Sequence, residues 1–277
     1  MRLREIIKTE LWDKYYTPTY TTLEPVKIKK HYKISICTTC MDRLAQLKET
    51  YIKNIEDNIN YPNLEFVLLN YNSKDDLDTW AISDLKPYID KGIVNYYKTD
   101  EPEYYSMSHS RNIAFKLAKG DIVYNIDADH FINQGFAEKL NQLANQMPGK
   151  IIIVKGRRRN RGRIGMFRKD FIELGGYDED LIGYGFDDKD LLMRAYHSGC
   201  KILWTGSEYC TMVDNHKPHT GKRYQYKNWK YTQERNAVVS LLNLVGGRYV
   251  ANEGKRWGSA MVSKNFNYEE FDSGKLS

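Results

Sequence analysis

The sequence predicts an α/β protein with a mixed, mostly parallel sheet flanked by helices. Three observations carry that prediction. Short apolar runs of strand length alternate with amphipathic stretches of helix length between Lys33 and Thr205. Several of these runs are apolar throughout, as strands covered on both faces are. Glycine closes helical stretches where a helix must stop, as at Gly120.

Residues 1–32 show no period. Tyr15, Tyr16 and Tyr20 with Pro18 and Pro25 suggest an irregular arm packed on the main body. Lys33–Thr39 is the first expected strand, and Arg43–Asn58 a helix with Leu44, Leu47, Tyr51 and Ile55 on one face. Glu65–Asn70, Ile93–Lys98 and Ile122–Ile126 are the next strands, separated by helices at Asp75–Leu85 and Ser108–Ala118. Right-handed crossovers should join them. Beyond Ile126 the alternation loosens. Helices are expected at Gly135–Gln146, Phe167–Leu174 and Asp187–Ser198, with strands at Ile151–Val154 and Lys201–Thr205. Arg223–Leu244 reads as a long helix, and the Gly-, Asn- and Lys-rich tail after it is expected to end frayed. The expected organisation is an arm over 1–32, a main α/β domain over 33–222, and a helical extension with its tail over 223–277.

With 277 residues the chain can bury one substantial core. No run of about 18 apolar residues is present, so no membrane span is expected. The start, Met1–Lys8, lacks the apolar centre of a secretory signal, which makes a cytoplasmic location the expectation. The net charge of +6 suits phosphate-bearing ligands without requiring nucleic acid. Four cysteines in so long a chain do not make a disulfide scaffold. Cys37 and Cys40 form a C-x-x-C, but Cys37 lies in an apolar run and reads as a small core residue.

Chemistry concentrates in four segments. Asp127-Ala128-Asp129 follows an apolar strand, and ligands of open α/β sheets bind at that strand end. Paired hard carboxylates suit Mg²⁺ or Mn²⁺, ions that sit on phosphate oxygens. His130, His216 and His219 are candidates for a third ligand; His130 points away if the chain stays extended there. Gly175-Gly176-Tyr177-Asp178-Glu179 and Gly183-Tyr184-Gly185-Phe186-Asp187-Asp188 allow tight turns ahead of a helix. Asp187 and Asp188 could cap that helix, or one could serve as a general base. Ser108-His109-Ser110-Arg111-Asn112 offers Arg111 to a phosphate or base. Lys155–Arg163 packs six cations into nine positions. It is a solvated loop, or a loop that closes over a diphosphate or an anionic acceptor.

In this order the segments resemble the GT-A glycosyltransferases, particularly family 2 and its relatives among the polypeptide N-acetylgalactosaminyltransferases and β-1,4-galactosyltransferases. The resemblance spans roughly residues 33–220. It is carried by Thr39-Cys40-Met41-Asp42-Arg43, by Ser110-Arg111-Asn112 with Ala118-Lys119-Gly120-Asp121, by Asn125–Asp129, and by Phe171–Tyr177 with Gly183–Leu191. It implies a GT-A, Rossmann-like catalytic domain over 33–222 and a metal-dependent, inverting transfer of a sugar from a nucleotide sugar to a hydroxyl of a glycan or other acceptor. It also implies Asp129 as a metal ligand and Asp127 as its partner toward ribose and metal. His216 is the first choice to complete the site and His219 the second. Asp188 would be the base and Asp187 would bind sugar, while Arg43 and Arg111 would line the nucleotide pocket. Many relatives carry Asp-Asp-Gly-Ser after the second strand, where this chain has Asn70-Tyr71-Asn72-Ser73. Asn70 is thus the candidate for base recognition, and a UDP-sugar the leading donor.

Three other readings compete. A nucleotidyltransferase would need a glycine-rich loop after the first strand, and Thr38–Arg43 has no glycine. A non-catalytic nucleotide-sugar-binding protein would be expected to lack Asp127, Asp129 or Asp188. A nucleic-acid-directed glycosyltransferase stays open because of the arginine run, although no aromatic interleaves it. Tyr15 and Tyr16 are candidate acceptor contacts, since aromatic faces pack on sugar rings.

Overall fold

The computed structural model describes residues 10–21, 24, 26–154, 163–213 and 223–276. Its centre is the parallel block predicted from the apolar runs: β1 (Ile34–Cys40), β2 (Leu64–Tyr71), β3 (Val94–Thr99) and β4 (Ile122–Asn125). β1 lies between β2 and β4, parallel to both, and β2 pairs in parallel with β3. All seven residues of β1 are buried, as befits a strand with neighbours on both edges and helices on both faces.

One apolar cluster gathers Ile34, Ile36, Phe66 and Leu68 from one face of the sheet. Helix α2 (Leu44–Glu56) packs there through the expected stripe of Leu44, Leu47, Tyr51 and Ile55. The other face forms a second cluster with Cys37, Val67 and Leu69. It is covered by α5 (Met107–Leu117) and by α8 (Asp187–His197). Between α2 and α8 in sequence also lie α3 (Leu77–Asp84), α4 (Lys86–Asp90), α6 (Phe136–Gln146) and α7 (Arg168–Glu173). Cys37 and Cys40 fall in opposite clusters because an odd separation along a strand reverses the face, so they cannot share a metal. All four cysteines are buried and free.

Past β4 the sheet becomes mixed. β7 (Ile164–Phe167) runs antiparallel to β4 and to β6 (Ile151–Val154), and β6 pairs in parallel with β8 (Lys201–Trp204). A separate ribbon pairs β5 (His130–Ile132) with β9 (Cys210–Met212).

The C-terminal region departs from expectation in two ways. Helix α9 (Trp229–Val245) begins six residues later than the expected Arg223, capped by the Asn228 side chain, which accepts from the Tyr231 amide at 3.1 Å. The tail is not frayed. Its strands β10 (Met261–Lys264) and β11 (Asn267–Asp272) form a hairpin, and β10 pairs antiparallel with β3. The nine strands run in the order β11-β10-β3-β2-β1-β4-β7-β6-β8. Among the described residues, no helix is long and apolar enough to cross a membrane.

The N-terminal arm contributes α1 (Glu10–Tyr16). Tyr16 is buried, with its hydroxyl donating to Ser240 Oγ at 2.9 Å. Tyr15 packs on His197 with ring centroids 5.4 Å apart. Burial takes the Tyr16 ring away from any acceptor, against the expectation for it, while Tyr15 is half-buried against α8.

Candidate functional site

A cleft of about 660 Å³ opens beyond the C-terminal ends of β1 and β4. Asp127 and Asp129 line it just after β4. The chain does not stay extended there: the His130 amide donates to Asp127 O at 3.1 Å and closes a turn. Helix α2 braces that turn, with Thr50 Oγ1 donating to Ala128 O at 2.7 Å and Asn54 Nδ2 to His130 O at 2.9 Å.

The turn overturns the expectation that His130 points away. His130 Nδ1 lies 2.5 Å from Asp129 Oδ1 and 4.0 Å from Asp127 Oδ2. Each carboxylate presents its other oxygen to an arginine. Arg43 Nη2 is 2.7 Å from Asp129 Oδ2, and Arg111 Nη2 is 3.1 Å from Asp127 Oδ1. Asp127 Oδ2, Asp129 Oδ1 and His130 Nδ1 therefore converge. The ligand atoms of this Asp-Asp-His cluster lie within 4.8 Å of one another. An octahedral ion with bonds of about 2.1 Å holds opposite donors about 4.2 Å apart, so the cluster fits a divalent cation. Two carboxylate oxygens and an imidazole form a mixed oxygen and nitrogen donor set open to a divalent cation. His130 Nε2 faces Arg163 Nη2; a guanidinium only donates, so the ring proton here sits on Nδ1 toward Asp129, and a cation at Nδ1 requires Arg163 to give way and the proton to move to Nε2. His216 and His219, the expected third ligands, lie outside the described residues, as does Lys155–Gly162 of the basic run.

Across the cleft stand Asp187 and Asp188 in the first turn of α8. Neither occupies the N-cap, one of the two roles open to them from the sequence. Phe186 does, with φ at 78°, in the left-handed region that side chains rarely adopt. Arg111 crosses the cleft floor, 1% exposed. Its Nη1 reaches Asp187 Oδ2 and, at 2.9 Å, Asp188 Oδ1, while Nη2 holds Asp127.

One guanidinium thus serves three carboxylates, which sets their protonation. Burial, then the neighbouring charges of Asp187 and Asp127, push Asp188 up to about 8 despite Arg111. Burial also raises Asp187, against the pull of Arg111. Burial works against the charge on Asp127 too, yet Arg111, with His130 and Arg163, outweighs it and holds that carboxyl below its usual range. Asp188 keeps more side-chain exposure than Asp187, 16% against 4%, so it is the one turned toward a ligand in the cleft.

Arg111 and its neighbour Asn112 divide their work. Asn112 is buried in α5, accepts the Tyr177 amide at 2.8 Å and donates to Tyr177 O at 2.9 Å. It also donates to Glu179 Oε1 at 2.8 Å. Gly176, at φ 70°, passes so close that a Cβ there would lie 2.5 Å from Asn112 Oδ1. The Gly-Gly-Tyr-Asp-Glu stretch is therefore a packed corner that positions the route to α8, and its glycines touch protein rather than ligand.

Asn70 sits away from the cleft lining. It is buried, donating to Asp78 Oδ1 at 2.9 Å and to Tyr96 Oη at 3.0 Å, and its Oδ1 accepts the Ser73 amide at 2.8 Å. The structure thus brings together Arg43, Arg111, Asp127, Asp129, Asp187 and Asp188. Sequence reasoning missed Arg163, Tyr184 and Tyr224 as lining residues. Arg163 ends the basic run, whose expected roles include closing over a diphosphate, and Tyr184 sits within the Gly183–Asp188 segment, whereas Tyr224, one tyrosine among 22, carries no local signal.

The profile of glycosyl transferase family 2 matches residues 35–206. No curated protein matches the sequence. Among solved structures, the mannosyltransferase PcManGT of Pyrobaculum calidifontis, in complex with GDP-Man and Mn²⁺, is similar with a TM-score of 0.58 at 15% identity; 86% of this chain aligns with 81% of that one. TarS of S. aureus in complex with UDP-GlcNAc gives 0.59 at 15% identity, over 76% of this chain and 67% of that one. GalNAc-T7 with UDP, GalNAc and Mn²⁺ gives 0.57 at 14% identity, over 79% of this chain and half of that one. At these identities the structural likeness is one of fold.

Proposed function

The chain belongs to glycosyl transferase family 2, and on that premise we propose that it transfers a sugar, with inversion, from a nucleotide sugar to an acceptor hydroxyl. The observation that carries this reading is the facing of two acidic sets across one cleft. Asp127, Asp129 and His130 stand on one side and Asp187 and Asp188 on the other, joined through Arg111.

Asp127, Asp129 and His130 would hold the divalent ion, which when bound supplies positive charge to the donor diphosphate. Arg43 would stand beside that diphosphate. Asp188, in its ionised form, accepts the proton of the acceptor hydroxyl as that oxygen bonds to the anomeric carbon. The bond from that carbon to the diphosphate oxygen breaks, and its electron pair leaves with the nucleotide. Attack opposite the departing group inverts the anomeric centre. Arg111 keeps Asp188 oriented, and Asp187 binds the sugar hydroxyls. A UDP-sugar is the first donor to examine, with GDP-mannose beside it, because the three neighbouring structures hold UDP, UDP-GlcNAc and GDP-Man.

The test is nucleotide release from a panel of sugar nucleotides, with Mn²⁺ or with EDTA, for the wild-type chain and for Asp129→Ala and Asp129→Asn. Slow, metal-dependent release from one donor, lost in both variants, is the expected result. Absence of both turnover and metal-dependent nucleotide binding would overturn the reading.

A further inference from the structure

An aromatic ladder leaves the cleft and reaches the surface. Tyr105, Tyr224 and Tyr184 line the cleft. Their rings meet edge to face, Tyr105 to Tyr224 at 5.8 Å and Tyr224 to Tyr184 at 5.8 Å. Tyr184 then meets Trp229 edge to face at 6.5 Å. The inner end lies beside the catalytic carboxylates. Burial raises the Tyr184 hydroxyl first, and the charges of Asp187, Asp127 and Asp188 raise it further.

The outer end lies in water. Trp229 is 47% exposed, with Tyr226 at 42% and Tyr231 at 57% close by in sequence. Trp229, in contact with Tyr184, thus carries the ladder to an exposed ring face, while Tyr231, two residues on in the helix, turns to another side. The ladder is also held firmly. Tyr184 N donates to Thr232 Oγ1 at 3.2 Å, and Thr232 Oγ1 lies 3.1 Å from Tyr184 O, fixing the Tyr184 loop against α9. The Asn228 cap fixes the first turn of α9, where Trp229 sits.

We propose that this ladder is the platform for an extended carbohydrate acceptor, an oligosaccharide whose terminal sugar lies against Tyr184 beside Asp188 and whose following sugars run outward over Trp229. The proposal rests on the glycosyltransferase reading and specifies its acceptor. A sugar ring has an apolar C–H face that packs on an aromatic ring while its hydroxyls stay in water. Half-exposed rings suit such a ligand better than a dry protein interface. Flexible nucleic acid also stacks on aromatics. However, the rings of this ladder stand edge to face and offer no run of parallel faces to successive bases, and the oligonucleotide arm of the test below separates the two ligands.

The test applies the wild-type chain, Trp229→Ala, Trp229→Phe and Leu242→Ala to an array of immobilised mono- to hexasaccharides, neutral and anionic, with a single-stranded oligonucleotide alongside. Leu242 is 59% exposed on the same helix and controls for a general surface effect. Melting curves confirm that each variant is folded. The expected result is retention of at least one saccharide series by the wild-type chain, rising with length. Trp229→Ala should weaken it roughly five- to tenfold, with partial recovery in Trp229→Phe and no change in Leu242→Ala. Retention of no saccharide, equal retention by Trp229→Ala, or retention of the oligonucleotide alone would overturn the proposal. Calorimetry of the wild-type chain with UDP or GDP and Mn²⁺ runs in parallel. Nucleotide binding without saccharide binding removes the platform and leaves the family reading intact. Saccharide binding without nucleotide binding removes the donor reading instead.

Discussion

Arg111 lies 2.9 Å from Asp188 and bonds Asp187 through the same nitrogen, so a single buried guanidinium ties the start of α8 to Asp127 at the end of β4. This linkage explains how two strongly acidic segments, far apart in sequence, can face each other in a shared cleft. Without the arginine, three carboxylates would repel one another in a poorly solvated place.

Replacing Arg111 should therefore damage stability as well as activity. Arg111→Ala is expected to cost about 3–5 kcal/mol, the range for removing one partner of a buried ion pair. Arg111→Lys should fall between, because a point charge cannot reproduce a guanidinium fork. Denaturant unfolding measures this directly. A loss below about 1 kcal/mol for Arg111→Ala would mean that the carboxylates neutralise by protonation instead.

Asp188 gives the folded chain a pH-dependent stability. Its carboxyl is raised to about 8 in the fold, mainly by burial, against about 3.9 in an unfolded chain. Between those values the folded state holds a proton that the unfolded state does not. Stability therefore falls as pH rises from about 4 through about 8 and then levels. Asp188→Asn removes this contribution. In metal-free protein its melting temperature should exceed that of the wild type by more at pH 9 than at pH 5. Turnover should fall about 10²–10⁴-fold with the loss of a general base. Parallel melting curves for the two chains across that range would contradict the assignment.

The identity of the third metal ligand can be decided between two histidines. His130 faces both aspartates, with its Nδ1 2.5 Å from Asp129. His130→Ala should weaken Mn²⁺-dependent nucleotide binding at least tenfold, since even residues behind the ligands cost 10- to 100-fold. His216→Ala provides the comparison. Equal or greater loss there, with little in His130→Ala, would return the ligand role to His216.

Much of this architecture is legible in the sequence where local pattern and global placement agree. The runs at Ile34, Leu64 and Ile122 are buried nearly throughout because both sheet faces are covered, and with the one at Val94 they form strands within a residue or two of expectation. Of the cleft residues, Asp127 and Asp129 stand out because they follow a strand end, and Asp187, Asp188 and Arg111 because they open helices, whereas Arg43 comes only from the family resemblance. What escaped depends on non-local pairing. β7 is four residues directly after a basic run, and its antiparallel sense comes only from β4 and β6. The β10–β11 hairpin is polar because it forms the sheet edge, and polarity concealed it. His130 was misdirected because residue spacing alone does not reveal a turn at Asp127.

Phe186 offers the last prediction. An aromatic residue at φ 78° carries backbone strain of about 1–2 kcal/mol. Its ring offsets this by packing 5.9 Å from Trp12 and 5.5 Å from Tyr16 in the N-terminal arm. Lys189 Nζ lies over the same group, 4.1 Å from the Trp12 ring and 4.5 Å from that of Tyr16. The arm thereby grips the residue immediately before Asp187 and Asp188. Phe186→Gly relieves the strain and forfeits the ring contacts, so the two effects should largely cancel and leave stability within about 2 kcal/mol of wild type. Catalysis should not be spared, because glycine frees the first turn of α8 and lets Asp188 wander from its place beside Arg111. A kcat reduced tenfold or more with little change in melting temperature is the expected outcome. Wild-type kcat in a folded Phe186→Gly chain would show that Arg111 alone is enough to fix Asp188.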